Sequence, residues 1–77
     1  MKMNLSAGYP LLIYGDHNHE VKKLQILLKR KGLYKGNITG LYAEETLRAV
    51  VAFKVNLNMR ENSVVTSAVW KALSLEI

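Results

Sequence analysis

The side chains best suited to bind a metal ion are two histidines separated by one residue, His17 and His19. A His-x-His pair supplies two ligands, whereas a closed protein site has a third and usually a fourth. The 77-residue chain contains no cysteine and no other histidine. We therefore expect both imidazoles to be solvated near the start of a helix, with no metal and no cofactor bound.

The acidic and hydroxyl side chains form no arrangement typical of catalysis. Glu44 and Glu45 are neighbours on a predicted helix, so their side chains point about 100° apart. No serine stands at the glycine-flanked turn typical of a nucleophile, and no glycine run is followed by the Lys-Ser/Thr of a phosphate-binding loop. The sequence predicts a binding module rather than an enzyme.

Basic side chains are concentrated between Val21 and Ala43, a stretch that contains no acidic residue. The chain as a whole carries eleven Lys+Arg against six Asp+Glu, a formal charge of +5, so most of the net charge lies in this stretch. The basic residues are Lys22, Lys23, Lys29, Arg30, Lys31 and Lys35. Such a patch either keeps a small apolar domain soluble or attracts a phosphodiester polymer, anionic lipid heads or a carboxylate-rich polymer.

The third predicted helix makes a nucleic-acid partner less favourable. It carries one cation, Lys71, among apolar neighbours, whereas a recognition helix presents several Arg, Lys, Asn or Gln side chains to base edges. Insertion into a membrane is also disfavoured, because no apolar run approaches the roughly 20 residues needed to span a bilayer.

Two tyrosines, Tyr34 and Tyr42, flank a loop that contains Gly36, Asn37 and Gly40. Each ring either holds the loop onto the core or lines a shallow groove for a polar, sugar-like or peptide-like ligand. The residue types alone leave both interpretations open.

The spacing of apolar residues predicts that three helices position these groups, at about 20–31, 43–57 and 66–73. Asp16 or Asn18 is expected to cap the first helix, Gly32 to end it, and Thr66 to cap the third. The predicted buried stripes contain Val21, Leu24, Leu27 and Leu28, then Ala43, Thr46, Leu47, Val50, Phe53 and Leu57, then Val69, Trp70 and Leu73. The fold class is therefore all-α, with residues 1–11 as an N-terminal lead-in and 12–77 as one domain.

The spacing of these elements resembles the peptidoglycan-binding domain family, the three-helix PGBD-like module of bacterial and phage wall hydrolases. The first part of the pattern is matched by Gly15-Asp16, Val21, Leu24-Gln25, Leu28, Gly32-Leu33-Tyr34 and Gly36. The second is matched by residues 38–43, Thr46, Ala49-Val50 and Phe53, and the third by Val64-Val65, Trp70 and Leu73.

The chain departs from the family pattern mainly at polar positions. Thr39 stands where an Asp is common, Ala43 where a Gly is, and Lys54 where a Gln is. In the last part, Asn62-Ser63 replaces Asp-Gly, Ser67 replaces Pro and Val69 replaces Thr. Positions that build the fold are thus retained better than polar loop positions.

The resemblance implies a compact three-helix bundle with irregular loops that binds peptidoglycan, through stem peptide or glycan, without catalysis. The implied site is the loop from Tyr34 to Tyr42 and the start of helix two, where amide N–H groups could bind a stem-peptide carboxylate. The expected ligand-binding residues are Tyr34, Lys35, Asn37, Thr39, Gly40, Tyr42 and Thr46.

Partners and location follow from the same resemblance. The module would target a wall hydrolase to the cell wall or envelope, or would be a phage protein present in the host cytoplasm before lysis. The alternative is a protein-interaction module on the same scaffold that docks an acidic partner through its basic face.

Overall fold

The computed structural model describes residues 10–60 and 62–75 and forms three α-helices within them. They are α1 (His19–Arg30), α2 (Glu44–Asn56) and α3 (Ser67–Leu75). This confirms the predicted all-α fold, with helix bounds shifted by one or two residues. Most of the predicted lead-in, residues 1–9, lies outside the described part, so the boundary at residue 12 stays a prediction. No helix in the described ranges has the length and apolar character needed to cross a membrane.

Helix α1 begins at a side-chain cap and ends at a glycine. Asn18 Oδ1 accepts a hydrogen bond from the Val21 N–H at 3.0 Å, so Asn18 is the cap. The other candidate, Asp16, instead accepts from the Ile13 N–H at 2.9 Å and closes the preceding turn. Gly32 follows the helix with φ +79°, a conformation that glycine adopts without steric cost and that ends the helix as predicted.

The core lies where the apolar stripes of the three helices meet. Its buried members are Leu12, Val21, Leu24, Leu28, Tyr34, Tyr42, Ala49, Val50, Phe53, Val65, Val69, Trp70 and Leu73. Leu27 and Leu47 pack against this cluster from partly buried positions. Leu57 is not in the core as predicted: it is 37% exposed, because α2 ends at Asn56 and the chain turns at Asn58.

The segment before α1 holds the two connecting loops in place. Leu12 forms an antiparallel bridge with Val65, with N–H to carbonyl distances of 3.1 and 2.9 Å. His17 forms a second bridge with Leu41. The Trp70 indole N–H donates to the Pro10 carbonyl at 2.7 Å, which joins this segment to α3 as well.

Leu12 and Leu11 give a direct test of this arrangement. Leu12 is 1% exposed and Leu11 is 64% exposed. We expect Leu12→Ala to lower the free energy of unfolding by about 3 kcal/mol, because it leaves a cavity in the core. Leu11→Ala should change it by less than about 0.5 kcal/mol. Urea unfolding followed by circular dichroism measures both, and equal effects would contradict the packing of this segment.

Candidate functional site

The loop that carries the predicted site is organised around one buried amide, the side chain of Gln25. This side chain has no exposed surface, and its Oε1 accepts hydrogen bonds from the N–H groups of Thr39 and Gly40, both at 3.0 Å. Two consecutive amides of the loop are therefore bound to helix α1 at a single atom.

The amide nitrogen of Gln25 completes the network toward α2. Its Nε2 lies 3.0 Å from Thr46 Oγ1 and 3.2 Å from the Leu41 carbonyl. Thr39 Oγ1 and the Tyr34 hydroxyl oxygen each lie 3.3 Å from the same nitrogen. Two amide hydrogens shared among four acceptors satisfy the buried nitrogen, which would otherwise be costly to bury. The loop, α1 and α2 thus meet at one polar residue.

The sequence analysis quoted Gln25 as part of a motif but assigned it no role. A signal was available in the spacing, because Val21, Leu24, Gln25 and Leu28 occupy one helical face. A polar residue within an apolar stripe is buried and needs partners, and the polar loop supplies them.

The two flanking tyrosines hold the loop from inside. Tyr34 is buried, and its hydroxyl donates to the Asn37 carbonyl at 2.6 Å. The Lys29 ammonium lies 5.9 Å from the centre of the Tyr34 ring and donates to the Gly36 carbonyl at 2.6 Å. Both contacts fix the first half of the loop.

Tyr42 is fully buried and connects the loop to the segment before α3 through its hydroxyl, which donates to the Ser63 carbonyl. Burial, together with the nearby Asp16 carboxylate, raises the pKa of Tyr42 above its ordinary value. Of the two interpretations of the tyrosines, the structure shows both rings in the core.

The predicted site residues therefore divide into two groups. Tyr34, Tyr42 and Thr46 are buried, as is Gly40, whose φ of +83° places its backbone against Asn18 and Lys22. The side chains left on the surface are those of Lys35, Asn37 and Thr39. The structure brings these three together on one loop whose backbone is held from below.

Charged groups border this loop on both sides. The carboxylate of Glu45 lies against Gly36, and Glu44 is paired with Arg48 at 3.2 Å, so two acids stand in the first turn of α2. From α1, Lys22 lies against Gly40 and Lys29 donates to the Gly36 carbonyl. Five of the six basic residues are exposed and Lys31 is half-buried. Lys23 is 3.6 Å from Glu20 in an exposed pair.

The two histidines are exposed, as expected. With Asn18 and Lys22 they line a shallow depression of about 190 Å³ beside Gly40. Within the described residues, no three His, Cys, Asp or Glu side chains are close enough to hold a metal ion.

A larger cleft, of about 470 Å³, lies between the end of α2 and the start of α3, away from the predicted loop. Its lining residues are Lys54, Met59, Arg60, Asn62, Val64, Thr66, Ala68 and Val69. Lys54 is 5% exposed, and its ammonium donates to Asn62 Oδ1 at 2.6 Å and to the Val64 carbonyl at 2.7 Å. Burial lowers the pKa of Lys54. The sequence signal was the lysine at a position where the family pattern has glutamine.

Comparison with known proteins identifies the family. The model of the family described as "Putative peptidoglycan binding domain" matches residues 17–73. The chain belongs to the peptidoglycan-binding domain family. The resemblance stated from the sequence is thereby confirmed, and the matched range covers all of α1 and α2 and most of α3.

Two solved structures share this fold. The crystal structure of the SleB N-terminal domain superposes with a TM-score of 0.84 at 20% identity, over 88% of this chain and 93% of that one. A peptidoglycan-binding protein from Clostridioides difficile, solved with glutamine hydroxamate, gives a TM-score of 0.79 at 25% identity. That match covers 92% of this chain but 42% of the other protein. No curated protein matches the chain.

Substituting Gln25 tests whether one residue organises the loop. Gln25→Leu keeps the shape but leaves the Thr39 and Gly40 amides without their acceptor. We expect the free energy of unfolding to fall by about 3 kcal/mol. Ile26→Gln, at an exposed position on the same helix, should change it by less than about 0.5 kcal/mol. Denaturant unfolding measures both, and a Gln25→Leu protein of native stability would contradict the role of the network.

The raised pKa of Tyr42 predicts how stability responds to alkaline pH. An unfolded tyrosine ionises near pH 10, whereas folded Tyr42 keeps its proton, so its contribution falls as pH rises above about 10. At pH 8, Tyr42→Phe should lower the free energy of unfolding by about 1 kcal/mol, since the hydrogen bond to Ser63 is lost. By pH 11 this deficit should disappear, because the native chain alone loses about 1.4 kcal/mol per pH unit at this residue. Urea titrations at the two pH values measure the difference, and a constant deficit would refute the prediction.

Proposed function

We propose that this chain is a non-catalytic module that binds peptidoglycan and acts at the cell wall. Family membership carries the proposal, since residues 17–73 match the peptidoglycan-binding domain model. The arrangement of polar groups in the described residues supports it further, because the buried side chains of Gln25 and Lys54 serve hydrogen-bond networks rather than a nucleophile–base pair.

The proposed contact surface is the exposed part of the 34–42 loop. Lys35, Asn37 and Thr39 present a cation, an amide and a hydroxyl, the groups that bind the hydroxyls and amides of a glycan or stem peptide. Tyr34, Gly40, Tyr42 and Thr46 take part by fixing the backbone of the loop. A surface held in advance in this way loses less entropy on binding than a free loop would.

The acids beside this loop bear on which part of the wall polymer it binds. Glu44 and Glu45 occupy the first turn of α2, where a ligand carboxylate would meet like charge. We therefore assign the glycan and the amide groups of the stem peptide to the loop, and not the carboxylate.

The basic face of α1 gives the module long-range attraction. Lys22, Lys29 and Arg30 are exposed, and such a face draws the protein toward an anionic wall. It would serve equally to dock an acidic protein, a wall hydrolase included, which is the second candidate function. Salt separates the roles, because attraction between exposed charges is screened at high ionic strength whereas short hydrogen bonds to the loop are screened less.

Co-sedimentation with purified, insoluble peptidoglycan tests the proposal. We expect the native protein to pellet with the polymer. The double variant Lys35→Gln/Asn37→Ala should bind about tenfold more weakly, because it removes two polar contacts to the ligand. It should keep native stability, since neither side chain makes a hydrogen bond within the described residues.

The matched control makes the same two changes elsewhere on the surface. Lys71→Gln/Asn56→Ala alters an exposed lysine on α3 and an exposed asparagine on α2. It should bind like the native protein. Equal weakening by both double variants would show that charge alone acts and would refute the loop assignment. Native protein that stays in the supernatant at low salt would refute wall binding itself.

A further inference from the structure

The cleft between α2 and α3 contains the ammonium group of Lys54. Among the described residues, this group forms no ion pair with an acidic side chain. Lys54 lies at its base, 5% exposed, and its two recorded acceptors are the neutral groups Asn62 Oδ1 and the Val64 carbonyl. An ammonium has three donors, so one remains for a further acceptor in the cleft.

The position of Lys54 is held rather than flexible. The Asn62 carboxamide oxygen that binds the ammonium also accepts from the Val64 N–H at 3.0 Å. This small ring of hydrogen bonds fixes the lysine head at one point. Desolvation lowers the pKa of Lys54, which means that its charge is poorly compensated where it lies.

The walls of the cleft define the shape of a ligand. Its lining includes the apolar side chains of Met59, Val64, Ala68 and Val69. Arg60 brings a second, exposed cation to the rim. The volume of about 470 Å³ falls within the range of roughly 300–1,000 Å³ typical of small-ligand sites.

We propose that this cleft binds the terminal carboxylate of a short peptide, with the Lys54 ammonium as its partner and the apolar wall against the adjoining small side chain. Charge complementarity selects this occupant, because a carboxylate beside a desolvated ammonium forms a short, charge-assisted hydrogen bond. Arg60 adds a second donor at the entrance. The stem peptide of the wall polymer supplies such an end, so the choice of peptide rests on the proposed function.

The cleft and the 34–42 loop would then bind different parts of the same polymer. The loop contacts neutral polar groups, whereas the cleft takes the anionic end. A lysine in place of the family's glutamine at residue 54 would give this chain a preference for stem peptides with a free terminal carboxylate over those whose ends are cross-linked.

A titration of the ¹⁵N-labelled chain with acetyl-D-alanyl-D-alanine tests the proposal by NMR. We expect saturable amide shifts centred on residues 62–69. The matching carboxamide, which lacks the charge, should produce no saturable shift. Absence of saturable shifts with the free acid, or equal shifts with the carboxamide, would overturn the proposal.

Two lysine variants test whether the charge of Lys54 binds the dipeptide. Lys54→Gln keeps a donor near the Asn62 and Val64 oxygens and should weaken dipeptide binding by about tenfold or more. Lys71→Gln removes the same charge from an exposed position outside the cleft and should change the affinity by less than about twofold. Equal effects of the two variants would overturn the assignment. If Lys54→Gln does not fold, Arg60→Gln at the exposed rim gives the second measurement, with a loss of affinity expected and an unchanged affinity contradicting the site.

Glu61 adjoins two of the cleft residues in sequence and lies outside the described residues. A Glu61→Gln chain that binds the dipeptide while the native chain does not would show that the chain's own acid takes the place of the ligand, which would overturn the proposal for the native protein.

The wall-binding assay separates this inference from the proposed function. Native protein that pellets with peptidoglycan but shows no dipeptide shifts overturns the cleft and leaves wall binding intact. Native protein that shows the dipeptide shifts but does not pellet supports the cleft as a peptide-carboxylate site and overturns wall binding.

Discussion

The buried amide of Gln25 is the constraint on which the rest of this small domain depends. It forms hydrogen bonds with two loop N–H groups, one loop carbonyl and three side-chain hydroxyls. An apolar residue at this position would leave the N–H groups of Thr39 and Gly40 without their acceptor, and a charged one would be costly to bury. A loop rich in glycine and polar residues can therefore pack directly onto a helix in a protein with no disulfide.

This network also explains which side chains of the 34–42 loop are buried and which are exposed. Gln25 and the rings of Tyr34 and Tyr42 hold the backbone of the loop from the core side. The side chains of Lys35, Asn37 and Thr39 therefore lie at the surface. Lys35, Asn37 and Thr39 are thus presented from a fixed backbone. Thr39 is exposed and also bound to Gln25, whereas the side chains of Lys35 and Asn37 make no hydrogen bond within the described residues.

Charge is arranged on two separate parts of the molecule. The exposed cations of α1 are screened by salt, whereas Lys54 is desolvated inside a cleft. The net charge of +5 does not distinguish these two environments. One is suited to bringing the protein to an anionic polymer, the other to selecting a chemical group on it.

The sequence by itself determined the three helices, the stop at Gly32 and the family, because each depends on local spacing or on residue types at fixed intervals. It narrowed the cap of α1 to Asp16 or Asn18, and the structure decided for Asn18. It could not decide whether Tyr34 and Tyr42 face a ligand or the core, since a tyrosine ring suits both places. Nor could it show that Gln25 is the centre of the loop, that Leu57 leaves the core, or that Lys54 is buried. Those features were decided by contacts between residues far apart in the chain, such as Gln25 with Thr46 and Tyr42 with Ser63, which only the tertiary structure brings together.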